Sequence, residues 1–179
     1  MKFARGFKSH CEQLVQQLRG ELALADLAPI NMDVLASHLC IPVWSLSQML
    51  KAANQDRACL NVSEVYRKVS AFTFFDGSRR RVVYNEEHGP ARHRSNMAHE
   101  FAHALLSHPP ADSGLSAEAE EVNEAEAGWL GGVLMLPAHQ ARHVASTGMR
   151  REDAARHFEI SPEMLRFRLN VTGAAKMAA

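Results

Sequence analysis

The pentapeptide His99-Glu100-Phe101-Ala102-His103 constrains this chain more than any other stretch. Residues four apart lie on one face of an α-helix, so two imidazoles can reach one ion while Glu100 sits about 100° round the same turn. That arrangement suits a zinc ion with three protein ligands and one position open to water, whose pKa falls to about 7 there. The pattern predicts His99 and His103 as metal ligands and Glu100 as the general base that takes the proton and passes it to a leaving amine. With 10 His in 179 residues, chance produces such a pattern in roughly 4% of chains of this composition, so the surroundings must carry part of the reading.

Those surroundings agree with it. Asn96 to Leu106 has helical periodicity, with Ser95 or Asn96 available as N-cap, after a polar stretch, Asn85 to Arg94, that Gly89-Pro90 breaks. Upstream, Ser70 to Phe75 and Arg81 to Asn85 read as a β-hairpin turned at Asp76-Gly77. Downstream, Pro109-Pro110 and Gly114 mark a loop, and Ser116 to Leu136 reads as a long helix that opens with acidic residues and stops at Pro137. The Gly131-Gly132 pair inside it implies a close helix or strand neighbour. This helix offers Glu118, Glu120, Glu121, Glu124 and Glu126 as third ligands. His139 and His143 are also four apart, but Gln140 replaces the glutamate and no acidic helix follows, so that pair reads as surface.

Amphipathic runs at Phe7 to Leu22 and Met32 to Leu39 predict two N-terminal helices, and Arg151 to Phe158 and Pro162 to Leu169 predict two short ones at the other end. The last pair has helix-turn-helix spacing, with Arg150, Arg151, Arg166 and Arg168 as conceivable phosphate contacts. Its apolar residues Ala154, Phe158, Ile160, Leu165 and Leu169 serve equally well to pack it onto the rest, which is the reading favoured. The division expected is a domain over 1–149 and a helical tail over 150–179.

Lys plus Arg and Asp plus Glu number 20 each, so no global field draws the chain to nucleic acid, a membrane or an acidic substrate. Arg79, Arg80 and Arg81, beside Arg92 and Arg94, read as a solvated hairpin tip and loop. Cys11, Cys40 and Cys59 are odd in number and never paired at ligand spacing, which fits a reducing, cytoplasmic setting. The N-terminus does not read as a secretory signal, and no apolar run approaches a membrane span. Tyr66, Tyr84, His93 and His108 are each conceivable as the group that polarises a scissile carbonyl, with nothing to select one. Phe72, Phe74, Val82 and Tyr84 lie on the hairpin, whose edge could take up an extended peptide as a further strand.

Two longer blocks resemble the ImmA/IrrE family of metallopeptidases. Arg92-His93-Arg94-Ser95-Asn96-Met97-Ala98 leads into the motif helix, which ends in a further His108. Glu124-Ala125-Glu126-Ala127-Gly128-Trp129-Leu130-Gly131-Gly132-Val133-Leu134-Met135-Leu136-Pro137 matches the family's second block in spacing. The segments Pro29 to Val43 and Phe158 to Leu169 are similar to its flanks. Gly128, Leu130, Ser95-Asn96 and Phe101-Ala102 depart from the residues common there. The resemblance implies an α+β, zincin-like fold: N-terminal helices, small sheet, motif helix, acidic helix and helical tail. It implies Zn2+ held by His99, His103 and Glu124, with Glu126 as rival; the two lie about 200° apart on a helix, so only one can face the ion. It further implies an endopeptidase whose substrate is a regulatory protein, a helix-turn-helix repressor. The alternative is a non-catalytic regulator that keeps the fold and binds a repressor or toxin partner without cutting it.

Overall fold

The acidic helix changes character halfway along, and the fold is arranged around that change. Its first turns carry Glu118, Glu120 and Glu121 in solvent, whereas Ala127 and everything from Trp129 to Met135 is buried. A helix that is apolar all round has to be surrounded, and here it forms the centre of the molecule.

The computed structural model describes residues 3–52, 69–76, 79–110 and 113–176. Along the chain these form α1 (Phe7–Glu21), α2 (Met32–His38), β1 (Val43–Ser45), α3 (Leu46–Ala52), β2 (Ala71–Asp76) and β3 (Arg79–Tyr84). There follow α4 (Pro90–Leu105), α5 (Ala117–Met135), α6 (Ala138–Ser146), α7 (Arg151–His157), α8 (Pro162–Val171) and a 3-10 turn, Ala174–Lys176. The architecture is α+β, compatible with a zincin-like domain. Cys59, Tyr66 and the Gly77 of the hairpin turn lie outside the described residues.

The motif helix α4 and the central helix α5 pack closely because Gly131 has no side chain. A Cβ there would lie 3.3 Å from the Ala98 carbonyl and the His99 amide of α4. On the next residue, a Cβ at Gly132 would meet Arg168 Cδ of α8 at 3.2 Å. Cys11 and Val15 of α1, Met97 and Phe101 of α4, and Leu130 and Leu134 of α5 share one core with Phe158, Leu165 and Leu169 of the two helices near the C-terminus.

The sheet has the order β1-β3-β2, with β1 parallel and β2 antiparallel to β3. Successive residues of a strand point to opposite faces, and both faces are used. Val82 joins the main core against α4, whereas Val83 packs with Leu46 and Leu50 of α3 and with Phe72, Phe74 and Trp44. Thr73 is paired with Val82 and therefore faces α4.

Several elements differ from the sequence reading, α3 and the 3-10 turn among them. Helix α4 starts at Pro90 instead of Asn96, because proline at the first helical position loses nothing by lacking an N–H and has its φ preset; Gly89-Pro90 opens the helix. Strand β1 is three residues long and stands by pairing with β3, a long-range contact that local periodicity does not reveal. Helix α6 has only a short apolar stripe, Ala141 and Val144, beside buried Gln140.

Candidate metal centre

Helix α4 presents His99, Glu100 and His103 at the mouth of a cleft of about 470 Å³ between β2 and the start of α5. The two imidazoles turn their Nε2 atoms to each other at 3.1 Å. Glu124 closes the group, with Oε2 3.1 Å from His99 Nε2 and Oε1 3.3 Å from His103 Nε2. Four-coordinate zinc with ligands at 2.0–2.2 Å sets donor atoms about 3.3 Å apart. The three separations match that, and two nitrogens with a carboxylate oxygen are a fitting donor set for a divalent metal. Among the described residues, these three form the cluster able to hold a metal ion.

Glu126 lies elsewhere. Two residues round the helix from Glu124, it points to His108, with its Oε2 3.4 Å from His108 Nε2. The other ring nitrogen of His108, Nδ1, lies 3.0 Å from His103 Nδ1.

Glu100 points from the same helix into the cleft, where Thr73 Oγ1 of β2 donates to its Oε2 at 2.6 Å. Burial raises the Glu100 carboxyl above the ordinary carboxylate range, and the Thr73 hydrogen bond pulls it back. A carboxyl tuned upward in this way suits proton transfer near neutral pH. His103 is held well below its ordinary pKa, chiefly by burial and then by neighbouring His99, so its neutral, ligating form prevails.

The residues considered as polarisers separate cleanly. Tyr84 and His93 pack against each other with tilted rings, centroids 4.1 Å apart, and neither lines the cleft. His108 lines it but has both ring nitrogens engaged. Arg80 is no solvated hairpin tip: its guanidinium packs 5.0 Å over the Phe75 ring and its Nη2 donates to the His108 carbonyl at 2.9 Å, on the cleft wall. Arg94 is buried and pairs with Glu159 at 3.3 Å.

His139 turns its Nε2 to the Asp26 carbonyl at 3.0 Å, a structural contact. Arg168 is also structural: fully buried, it donates to the Leu136 carbonyl and to Glu12, both at 2.8 Å. Sequence reasoning missed Thr73, Arg80 and the role of Glu126 beside His108. For Thr73 a signal was present, a lone hydroxyl among the apolar residues of a strand preceding the motif helix.

The family model described as the IrrE N-terminal-like domain, a peptidase family, matches residues 65–170, from before β2 into α8. A comparison with curated proteins finds no match. The match spans the hairpin, the motif helix, the acidic helix and, to within a residue of its end, the last of the three helices that follow, so the chain belongs to the metallopeptidase family of the IrrE N-terminal-like domain.

Proposed function

We propose that the protein is a zinc-dependent endopeptidase that hydrolyses a peptide bond in a regulatory protein, a helix-turn-helix repressor. The observation that carries this reading is the meeting of His99, His103 and Glu124 at tetrahedral donor spacing beside Glu100 in one cleft. Bound there, zinc supplies a Lewis acid that polarises a carbonyl and acidifies water. Glu100 accepts the proton of the attacking water and delivers it to the amine nitrogen as the peptide bond breaks. Thr73 holds the Glu100 carboxylate in place while it does so.

Among the described residues, strand β2 lies at the edge of the sheet, and it lines the cleft through Ala71, Thr73 and Phe75. An extended substrate segment added along that edge would hydrogen-bond to the β2 backbone and run past Glu100. The resemblance to ImmA/IrrE proteins points to the repressor substrate. A cytoplasmic site of action fits the cysteine usage; among the described residues, no helix is long and apolar enough to cross a membrane.

The test is metal analysis of the purified chain, followed by co-expression of candidate repressors with wild type and with Glu100→Gln. Bound zinc in both proteins, with fragments of a repressor only in the presence of wild type, is the expected result. Every repressor left intact, together with full biological function of Glu100→Gln, would replace the enzyme by a non-catalytic binding partner.

A further inference from the structure

Helix α4 ends in a way that folds a third histidine, His108, back onto the metal ligands. Ser107 adopts a left-handed φ of 56°. Its N–H donates to the Ala104 carbonyl at 3.1 Å, and the His108 N–H to the His103 carbonyl at 3.0 Å. This is the Schellman pattern, in which the second residue past the cap lies against the third residue before it. Here those two side chains are both imidazoles. Arg80 pins the turn from the hairpin by donating to the His108 carbonyl.

The contact between His103 Nδ1 and His108 Nδ1, at 3.0 Å, needs a proton on one nitrogen and a lone pair on the other. Glu126 decides which. Its carboxylate, 3.4 Å from His108 Nε2, accepts hydrogen bonds and repels a lone pair, so the His108 proton sits on Nε2. His108 Nδ1 then bears a lone pair and accepts from His103 Nδ1–H. That leaves the lone pair of His103 on Nε2, facing His99 and Glu124.

We infer that His108 and Glu126 are positioning residues that lock His103 in the tautomer and ring orientation that offer Nε2 to the metal, through the chain Glu126, His108, His103. Ligating histidines are oriented in this way by a partner on the second ring nitrogen, and loss of the partner costs about 10- to 100-fold in metal affinity. The inference rests on the metallopeptidase reading and extends it to two side chains outside the ligand set. Burial of His108 at 7% exposure keeps water from substituting as the partner.

The experiment measures zinc affinity of the purified, metal-stripped full chain by competition with a chelating dye, for wild type, His108→Phe, His108→Asn and Glu126→Leu. Thermal melts of the stripped proteins check folding. Phenylalanine fills the site without an acceptor, and asparagine places an amide oxygen where Nδ1 sits. A 10- to 100-fold loss in His108→Phe, a smaller loss in Glu126→Leu, and recovery of most of it in His108→Asn are expected. Nitrogen NMR of the histidine rings in the stripped wild type should place the His103 proton on Nδ1, and in His108→Phe should divide it between the two nitrogens. Wild-type affinity in His108→Phe, an equal loss in His108→Asn, or a His103 proton on Nε2 in stripped wild type would each overturn the inference. Failure of wild type to bind zinc would instead overturn the metal reading, while the ring-proton measurement would still decide this one.

Discussion

Thr73 Oγ1 on strand β2 donates a 2.6 Å hydrogen bond to Glu100 Oε2 on helix α4, across 27 residues of sequence. One hydroxyl therefore links the sheet edge to the candidate base. Removing it in Thr73→Val should lower kcat about tenfold, the worth of one hydrogen bond to a charged group, with KM and zinc content little changed. Thr73→Ser should retain the activity. Steady-state kinetics on a cleaved repressor decide the matter, and an unchanged kcat in Thr73→Val would exclude this role.

Two glycines of α5 should respond oppositely to alanine. Gly128 is exposed, with open space where a Cβ would go, so Gly128→Ala should stabilise by about 0.5–1 kcal/mol through helix propensity alone. At Gly131 the same gain competes with backbone atoms of Ala98 and His99 at 3.3 Å, which move only if the whole of α4 moves. Overpacking of that kind costs about 1–3 kcal/mol, so Gly131→Ala should be destabilised on balance. Urea unfolding of both variants gives the two signs.

Arg168 joins α8 to α1 and to the end of α5 through Glu12 and the Leu136 carbonyl. Breaking a buried pair by removing one partner costs about 3–5 kcal/mol. Glu12 is 30% exposed and also accepts from the Ala138 amide at 2.9 Å, so Arg168→Leu should lie at the low end, about 3 kcal/mol. Chemical denaturation measures it, and a loss below about 1 kcal/mol would show that the pair adds little beyond a surface ion pair.

His93 is held below its ordinary pKa, first by burial, against a weaker opposing pull from Asp33. The unfolded chain therefore takes up a proton at this residue at a higher pH than the folded chain. Stability gained from neutral His93 is present above about pH 6.5 and is lost as the pH falls below it. Melting temperatures of the metal-stripped protein should fall on acidification below that point. His93→Phe, which keeps a ring against Tyr84, should flatten the slope; an identical slope would assign it to other groups.

Much of the helical framework was legible locally. The spacing of Phe7, Cys11, Leu14 and Leu18 marks α1, and Ser116 caps α5 by accepting from the Ala119 amide at 3.3 Å. The start of α4 was misplaced because Gly89-Pro90 serves equally as a breaker and as a helix opening, and only the continuation decides between them. Strand β1 was not legible, and of Thr73 only its lone hydroxyl was, not its bond to Glu100, since each acquires its role from a partner far along the chain.

What the sequence determined by itself was the chemistry on one helix: the four-residue spacing of His99 and His103 puts both on one face wherever that helix lies. What only the tertiary structure decided was which carboxylate meets them. Glu124 and Glu126 stand on one helix about 200° apart, and either could have faced α4 as far as spacing goes. The close approach at Gly131 and the packing of α5 in the core fix its rotation, which sets Glu124 beside the two histidines and Glu126 beside His108. A helix's periodicity is local, but its rotation about its own axis is a property of everything packed around it.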